Sequence, residues 1–193
     1  MPEQSYFASS PLITAAQHGD VEEMCRLVEQ GADLSTVDPR SPEGRTGAHW
    51  LAVRQKGAQL LELAKAYPEV LGYVTSAGKT PVMELAMQFC GEDVFALAAH
   101  PDYGERVVTQ VDNVGRTVSC YLVMRNDTLW VQTLMMLHEG IITAQSRIIR
   151  TAIEEHLYHL VKPLRKIGIA LPDDFDQLRK KHGITRAQIG RVR

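Results

Sequence analysis

Residues 75–86 read TSAGKTPVMELA. A phosphate-binding P-loop also ends in Gly-Lys-Thr. Its pattern, G-x-x-x-x-G-K-[ST], needs a glycine five residues before the second one, so that backbone N–H groups can wrap the phosphates. That position is Tyr73, and the nearest glycine, Gly72, stands one residue too early. Pro81 then removes a backbone donor from the turn where a phosphate would sit. The tripeptide calls for an architectural reading.

Self-similarity supplies one. SPLITAAQ (10–17), TGAHWLAV (46–53), TPVMELAM (80–87) and TVSCYLVM (117–124) align at offsets of 36, 34 and 37. Gly-basic precedes the last three, as GRT at 44–46, GKT at 78–80 and GRT at 115–117. At these positions glycine supplies turn geometry, Ser or Thr caps the next helix through its hydroxyl, and proline fits the first helical residue because its missing N–H is an orphan there. Small and aliphatic residues such as Ala15, Ala16, Ala52, Leu85 and Ala86 then permit close helix packing. A second apolar helix is expected in each unit: VEEMCRLVEQG (21–31), AQLLELAKAY (58–67), DVFALAAH (93–100) and TLWVQTLMMLHEG (128–140).

On these residues the chain resembles the ankyrin-repeat family over about residues 8–140. PLITAAQHGDVEEMCRLVEQGADLSTVD, residues 11–38, follows the PLHxAAxxGxxExVxxLLxxGADxxxxD pattern nearly throughout. DNVGRT, 112–117, matches the D-x-x-G-x-T hairpin signature, and His49 stands at the TPLH histidine position. There are departures: Gly47 and Val118 replace the proline, the second and third units carry the longer links RQKG and QFCG, and Gly-Ala-Asp does not recur. The resemblance implies an all-α solenoid of about four repeats over residues 1–140, with a C-terminal helical cap and basic tail over 141–193.

Composition agrees with a soluble protein. The 193 residues are 45% hydrophobic, enough for a buried core, and the net charge is −2. Residues 177–193 hold six Lys/Arg and no acid, leaving 15 basic against 23 acidic residues, a net of −8, for residues 1–176. Cys25, Cys90 and Cys120 lie far apart in apolar helical patterns, which predicts buried reduced thiols rather than a disulfide or a metal site. No stretch approaches the roughly 18 apolar residues of a membrane span, and MPEQSYFASSPLI lacks the features of a leader. The expected location is cytoplasmic, in the protein's own cell or in a host cell.

After Ile141 the repeat is expected to stop. Ile148, Ile149, Ala152, Ile153, Leu157, Leu160, Val161 and Leu164 predict an amphipathic helix from about Thr143 to Leu160, sealing the last repeat. Pro163 should kink or restart it, and Gly168 and Pro172 end it. DDFDQLRKKHG reads as a short helix capped by Asp173 or Asp174 and ended by Gly183, and TRAQIGRV as a further turn or two. LRKKHGITRAQIGRVR is similar to the opening helices of a helix-turn-helix, so a nucleic-acid-associated role for the tail is the secondary expectation.

Candidate chemistry is sparse. His156 and His159, with Glu155, share a helical spacing suited to a metal, but no second cluster completes four ligands. No Gly-x-Ser-x-Gly, HExxH or Rossmann pattern occurs, so an enzyme would need a site hidden from sequence. No cofactor is expected. The resemblance instead implies a noncatalytic protein-binding module, an adaptor, inhibitor or effector, using a concave groove. Arg45, Lys79 and Arg116, between Gly and Thr, form one register column. His18, Arg54, Gln88 and Arg125, eight residues after each Ser or Thr, form another. Together they are expected to present a basic stripe to an acidic or carboxylate-bearing protein segment. The loop PRSPEGR, 39–45, rich in Pro and Ser and longer than a tight hairpin, either reaches toward that segment or is a mere insertion.

Overall fold

The computed structural model describes residues 9–185 and Ile189, so most of TRAQIGRV lies outside the described residues. Among them are twelve α-helices and no strand, with one isolated antiparallel bridge between Val37 and Thr46. Two compact units divide the chain, Met1–Val94 and Phe95–Arg193.

The first unit holds α1 (Pro11–His18), α2 (Val21–Glu29), α3 (Gly47–Val53), α4 (Gly57–Ala66), a 3₁₀ turn at Pro68–Gly72, α5 (Pro81–Met87) and the start of α6 (Gly91–Ala98). Ser10 Oγ accepts the Ile13 N–H at 3.2 Å, Asp20 Oδ1 the Glu23 N–H at 3.0 Å, and Thr80 Oγ1 the Met83 N–H at 3.3 Å. Each bond satisfies a donor that the first helical turn leaves open. Helix α3 packs against both α1 and α5, and α2 against α4, so first helices form one layer and second helices another. Gly47, where the repeat pattern has proline, admits this contact: a Cβ there would lie 3.0 Å from Met24 Cε and 3.4 Å from Ala16 Cβ. Leu51, Leu60, Leu63, Leu71, Met83 and Leu85 are fully buried in the resulting core.

The second unit continues with the end of α6, then α7 (Gly104–Thr109), α8 (Val118–Met124), α9 (Thr128–Thr143), α10 (Arg147–Glu154), α11 (Tyr158–Lys166) and α12 (Phe175–Lys181). Here α8 packs on α9 and α10, and α10 also meets α11 and α12. Helix α9 kinks at His138, whose backbone leaves helical angles (φ −134°, ψ 46°) while its Nε2 bonds the Ala98 carbonyl at 2.9 Å. Ile148, Ile149, Ile153, Val161 and Leu164 are buried, as their spacing predicts.

One backbone device recurs in both units. A residue one or two places past each first helix is left-handed: Gly19 (φ 79°), Gln55 (59°), Phe89 (63°), Asn126 (61°) and His156 (60°). Around four of them the same pair of bonds closes the helix. Asp20 N–H donates to Ala15 O, Lys56 to Leu51, Asp127 to Leu122 and Leu157 to Ala152, at 2.7–3.0 Å. Gly19, Gln55, Asn126 and His156 donate to Ala16, Ala52, Val123 and Ile153 at 2.8–3.1 Å. This is the Schellman termination, which usually takes glycine.

His156 corrects the expectation of one helix over Thr143–Leu160. The left-handed turn there splits that stretch into α10 and α11, a helix pair with the same closure as those before it. Pro163 has less effect than expected, because α11 runs through it to Lys166; Pro163 is exposed, so water can serve the carbonyl its missing N–H leaves open. The short helix after it forms as α12, flanked by Asp174 and with Gly183 at φ 64°. Helix α7 and the 3₁₀ turn have no counterpart among the elements expected from sequence.

The Gly-basic-Thr turns close as hairpins. Asp38 N–H bonds Arg45 O at 2.8 Å, Thr75 N–H bonds Lys79 O at 3.0 Å, and Asp112 N–H bonds Arg116 O at 3.0 Å, with Gly44, Gly78 and Gly115 at φ 72–79°. In the first unit Ser76 N–H also donates to Glu43 O at 2.8 Å, tying two hairpins together.

Candidate partner-binding surface

Helix α3 and the hairpins on either side of it gather three of the seven residues singled out from sequence. Trp50 is half-buried, four residues after the cap Thr46. The guanidinium carbons of Arg45 and Arg54 lie 5.7 and 5.9 Å from its ring centroid, within cation–π range. Arg45 pairs with Glu43 and reaches Glu84 Oε1 at 3.6 Å, and Lys79 Nζ reaches the same oxygen at 3.7 Å. Glu84 occupies in α5 the register that Trp50 occupies in α3 and is only 4% exposed. A carboxylate buried this far needs nearby cations, and two converge on it.

Two cations therefore share one buried carboxylate, and Arg45 and Arg54 both lie against one indole. Arg54 differs from the other two: it is exposed, and among the described residues it has no carboxylate partner. Its backbone is the C-cap of α3, next to left-handed Gln55, and its head rests on Trp50. A guanidinium held this way loses less side-chain freedom when it grips a carboxylate.

His49 braces the surface from beneath. It is 0% exposed, and its Nδ1 lies 3.3 Å from the Thr46 N–H and 2.9 Å from Thr46 Oγ1, while Nε2 lies 3.0 Å from Lys79 O. Only a hydrogen on Nε2 serves the carbonyl, which leaves Nδ1 to accept from Thr46. Burial is the main cause that pulls the imidazole pKa down to about 4; the Lys79 carbonyl opposes this, and nearby Arg45 adds to it. A neutral ring thus fixes the second hairpin to the first helix of its neighbour.

The remaining residues stand apart from this cluster. His18 Nδ1 bonds its own Thr14 carbonyl at 2.9 Å and borders a hollow with Asp20, Glu22 and Glu62, an acidic setting. Gln88, the half-buried C-cap of α5, adjoins Phe89, which is well exposed. In the second unit Arg116 pairs with Glu155 at 2.9 Å, and Arg125 is the C-cap of α8. Arg54, Gln88 and Arg125 thus share one backbone position, while the ends of the Gly-basic-Thr cations turn to carboxylates of their own unit. Trp50 and Glu84 were missed in the sequence reading; their shared place four residues after the cap was the available signal.

The other candidates resolve into local contacts. His156 bonds the Tyr158 hydroxyl at 2.5 Å, His159 bonds Asn126 Oδ1 at 3.0 Å, and Glu155 serves Arg116. Among the described residues no three His, Cys, Asp or Glu side chains gather as a metal site. Cys120 is buried as expected, but Cys25, within α2, and Cys90, just before α6, are half-buried. Burial raises the pKa of both, and nearby carboxylates add to it. In the tail, Arg179 lies 3.5 Å from Asp176, and Arg186, Arg191 and Arg193 fall outside the described residues. Among the described residues no helix is long and apolar enough to cross a membrane. No protein-family model and no curated protein matches the chain.

Proposed function

We propose that the chain is a noncatalytic protein-binding module of the ankyrin-repeat kind, which grips an acidic segment of a partner protein through the Arg45–Trp50–Arg54–Lys79 surface. One observation carries this reading: Arg54 is exposed and poised on Trp50 without a carboxylate of its own, beside two cations that already share Glu84. A partner carboxylate would complete there the pairing that Arg45 and Lys79 find within the chain. Recurring helix pairs closed by the same turn, and hairpins closed by the same Asp or Thr to Arg or Lys bond, support the repeat reading. The acidic body outside the tail disfavours nucleic acid at this surface.

Affinity capture from a cell lysate with the intact chain and with Arg54→Glu tests the proposal. A partner retained by the former and lost by the latter, at unchanged thermal stability, is the expected result. Equal capture by both would overturn the assignment of the surface.

A further inference from the structure

Helix α9 carries an apolar face that the described residues leave exposed. Met136 is 85% exposed and Leu129 64%, with Leu137 beside them. Leu129 and Met136 are seven residues apart in the stretch before the kink, so they share one helix face across Gln132. Next to them Gln132, Met135, Met136, Glu139 and Ile167 line a shallow hollow of about 370 Å³. The fold does not demand these residues. The second position of α2, α4 and α6 holds Glu22, Ala58 and Glu92 where α9 has Leu129, and the ninth position of α2 and α4 holds Glu29 and Lys65 where α9 has Met136. Large apolar side chains at positions that other helices leave charged or small mark a contact surface.

Knob and socket stand on the same face. Helix α11 runs beside α9 in the same direction, since His159 bonds Asn126 near one end and Ile167 lines the hollow with Met135 and Glu139 near the other. The rim is consequently acidic at the Glu139 end and basic along α11, where Lys162 and Lys166 are exposed. Among the described residues none of these three has an ion-pair partner. A twofold axis across α9 would set two such helices antiparallel. Leu129 of each copy would then enter the other's hollow, and Glu139 of each would approach the other's Lys162. A surface that satisfies itself in both directions is what an isologous contact requires.

From this we infer that α9 is a self-association face, on which a second copy of this chain docks antiparallel through Leu129, Met136 and the Glu139–Lys162 rim. It is separate from the Arg54 surface and does not depend on it.

Light scattering on the full chain tests the inference at about 100 µM, where a micromolar complex is mostly formed. The expected mass is twice that of one chain, persisting in high salt because the centre is apolar. Met136→Lys changes an exposed side chain, so it should leave the thermal midpoint in place and return the mass to that of one chain. Glu139→Lys and Lys162→Glu should each weaken pairing roughly tenfold, because the twofold counts every rim change twice. The combined Glu139→Lys, Lys162→Glu chain should recover it. A single-chain mass for the unaltered protein, a larger open assembly, pairing that survives Met136→Lys, or a double variant that does not recover would each overturn the inference.

Discussion

Acidification should destabilise this protein through His49. The imidazole is neutral in the fold, with its pKa down at about 4, whereas an unfolded histidine titrates near about 6.5. Between these values the unfolded chain binds a proton that the folded chain refuses, so stability is fully present above about pH 6.5 and is lost as pH falls toward about 4. From about pH 7.5 to about pH 5 the linkage amounts to about 2 kcal/mol, or a fall of about 4–8 °C in melting temperature for a chain of this size. Glu23, Asp33 and Asp38, held below the usual carboxylate range, stay ionised there and contribute no slope. Asp93, raised by burial and then by Glu92, acts in the opposite sense, and Asp93→Asn removes it. Urea unfolding followed by circular dichroism at the two pH values measures the loss. His49→Leu, which cannot titrate, should start lower and show under about 0.5 kcal/mol of it. Unchanged stability of the natural chain, or an equal loss in His49→Leu, would refute the reasoning. So would a magnetic-resonance titration in which the His49 ring gains its proton above about pH 6 while the chain stays folded.

Other substitutions test separate parts of the construction. Gln55→Gly relieves a left-handed backbone in an exposed side chain and should stabilise by about 1 kcal/mol in chemical denaturation. Gly57→Ala improves helix propensity, yet its Cβ would stand 2.2 Å from the Asp93 carboxyl carbon; calorimetry should show a net loss of about 1–3 kcal/mol. Thr80→Ala deletes the cap on Met83 N–H and should cost about 1 kcal/mol, with faster amide exchange confined to the first turn of α5.

The first four first helices and their caps were legible because Ser or Thr followed by apolar small residues has a local cause, which does not wait on tertiary contacts. The ends of those helices were legible only where the turn residue was glycine. Gln55, Asn126 and His156 adopt the left-handed conformation of Gly19 without its composition, because the Schellman bonds and helix packing impose it. A continuous pattern of isoleucines therefore concealed the break between α10 and α11. At the surface, charge and register found Arg45, Arg54 and Lys79, but periodicity gives no sign of how far a side chain sinks. Glu84 reads as an ordinary helix-surface acid in TPVMELAM, and only the approach of two hairpins makes it a buried counter-ion.

The PRSPEGR loop carries three more residues between its closing partners than the other hairpins, with Asp38 bonded to Arg45 where Thr75 bonds Lys79 and Asp112 bonds Arg116. An alignment would mark the excess as the safest part of the chain to trim. Glu43 lies within it, and its carbonyl holds the Ser76 N–H of the next hairpin. Its length is thus a mechanical property: shortening the loop to match its counterparts would break that tie between two neighbouring hairpins while leaving every helix intact.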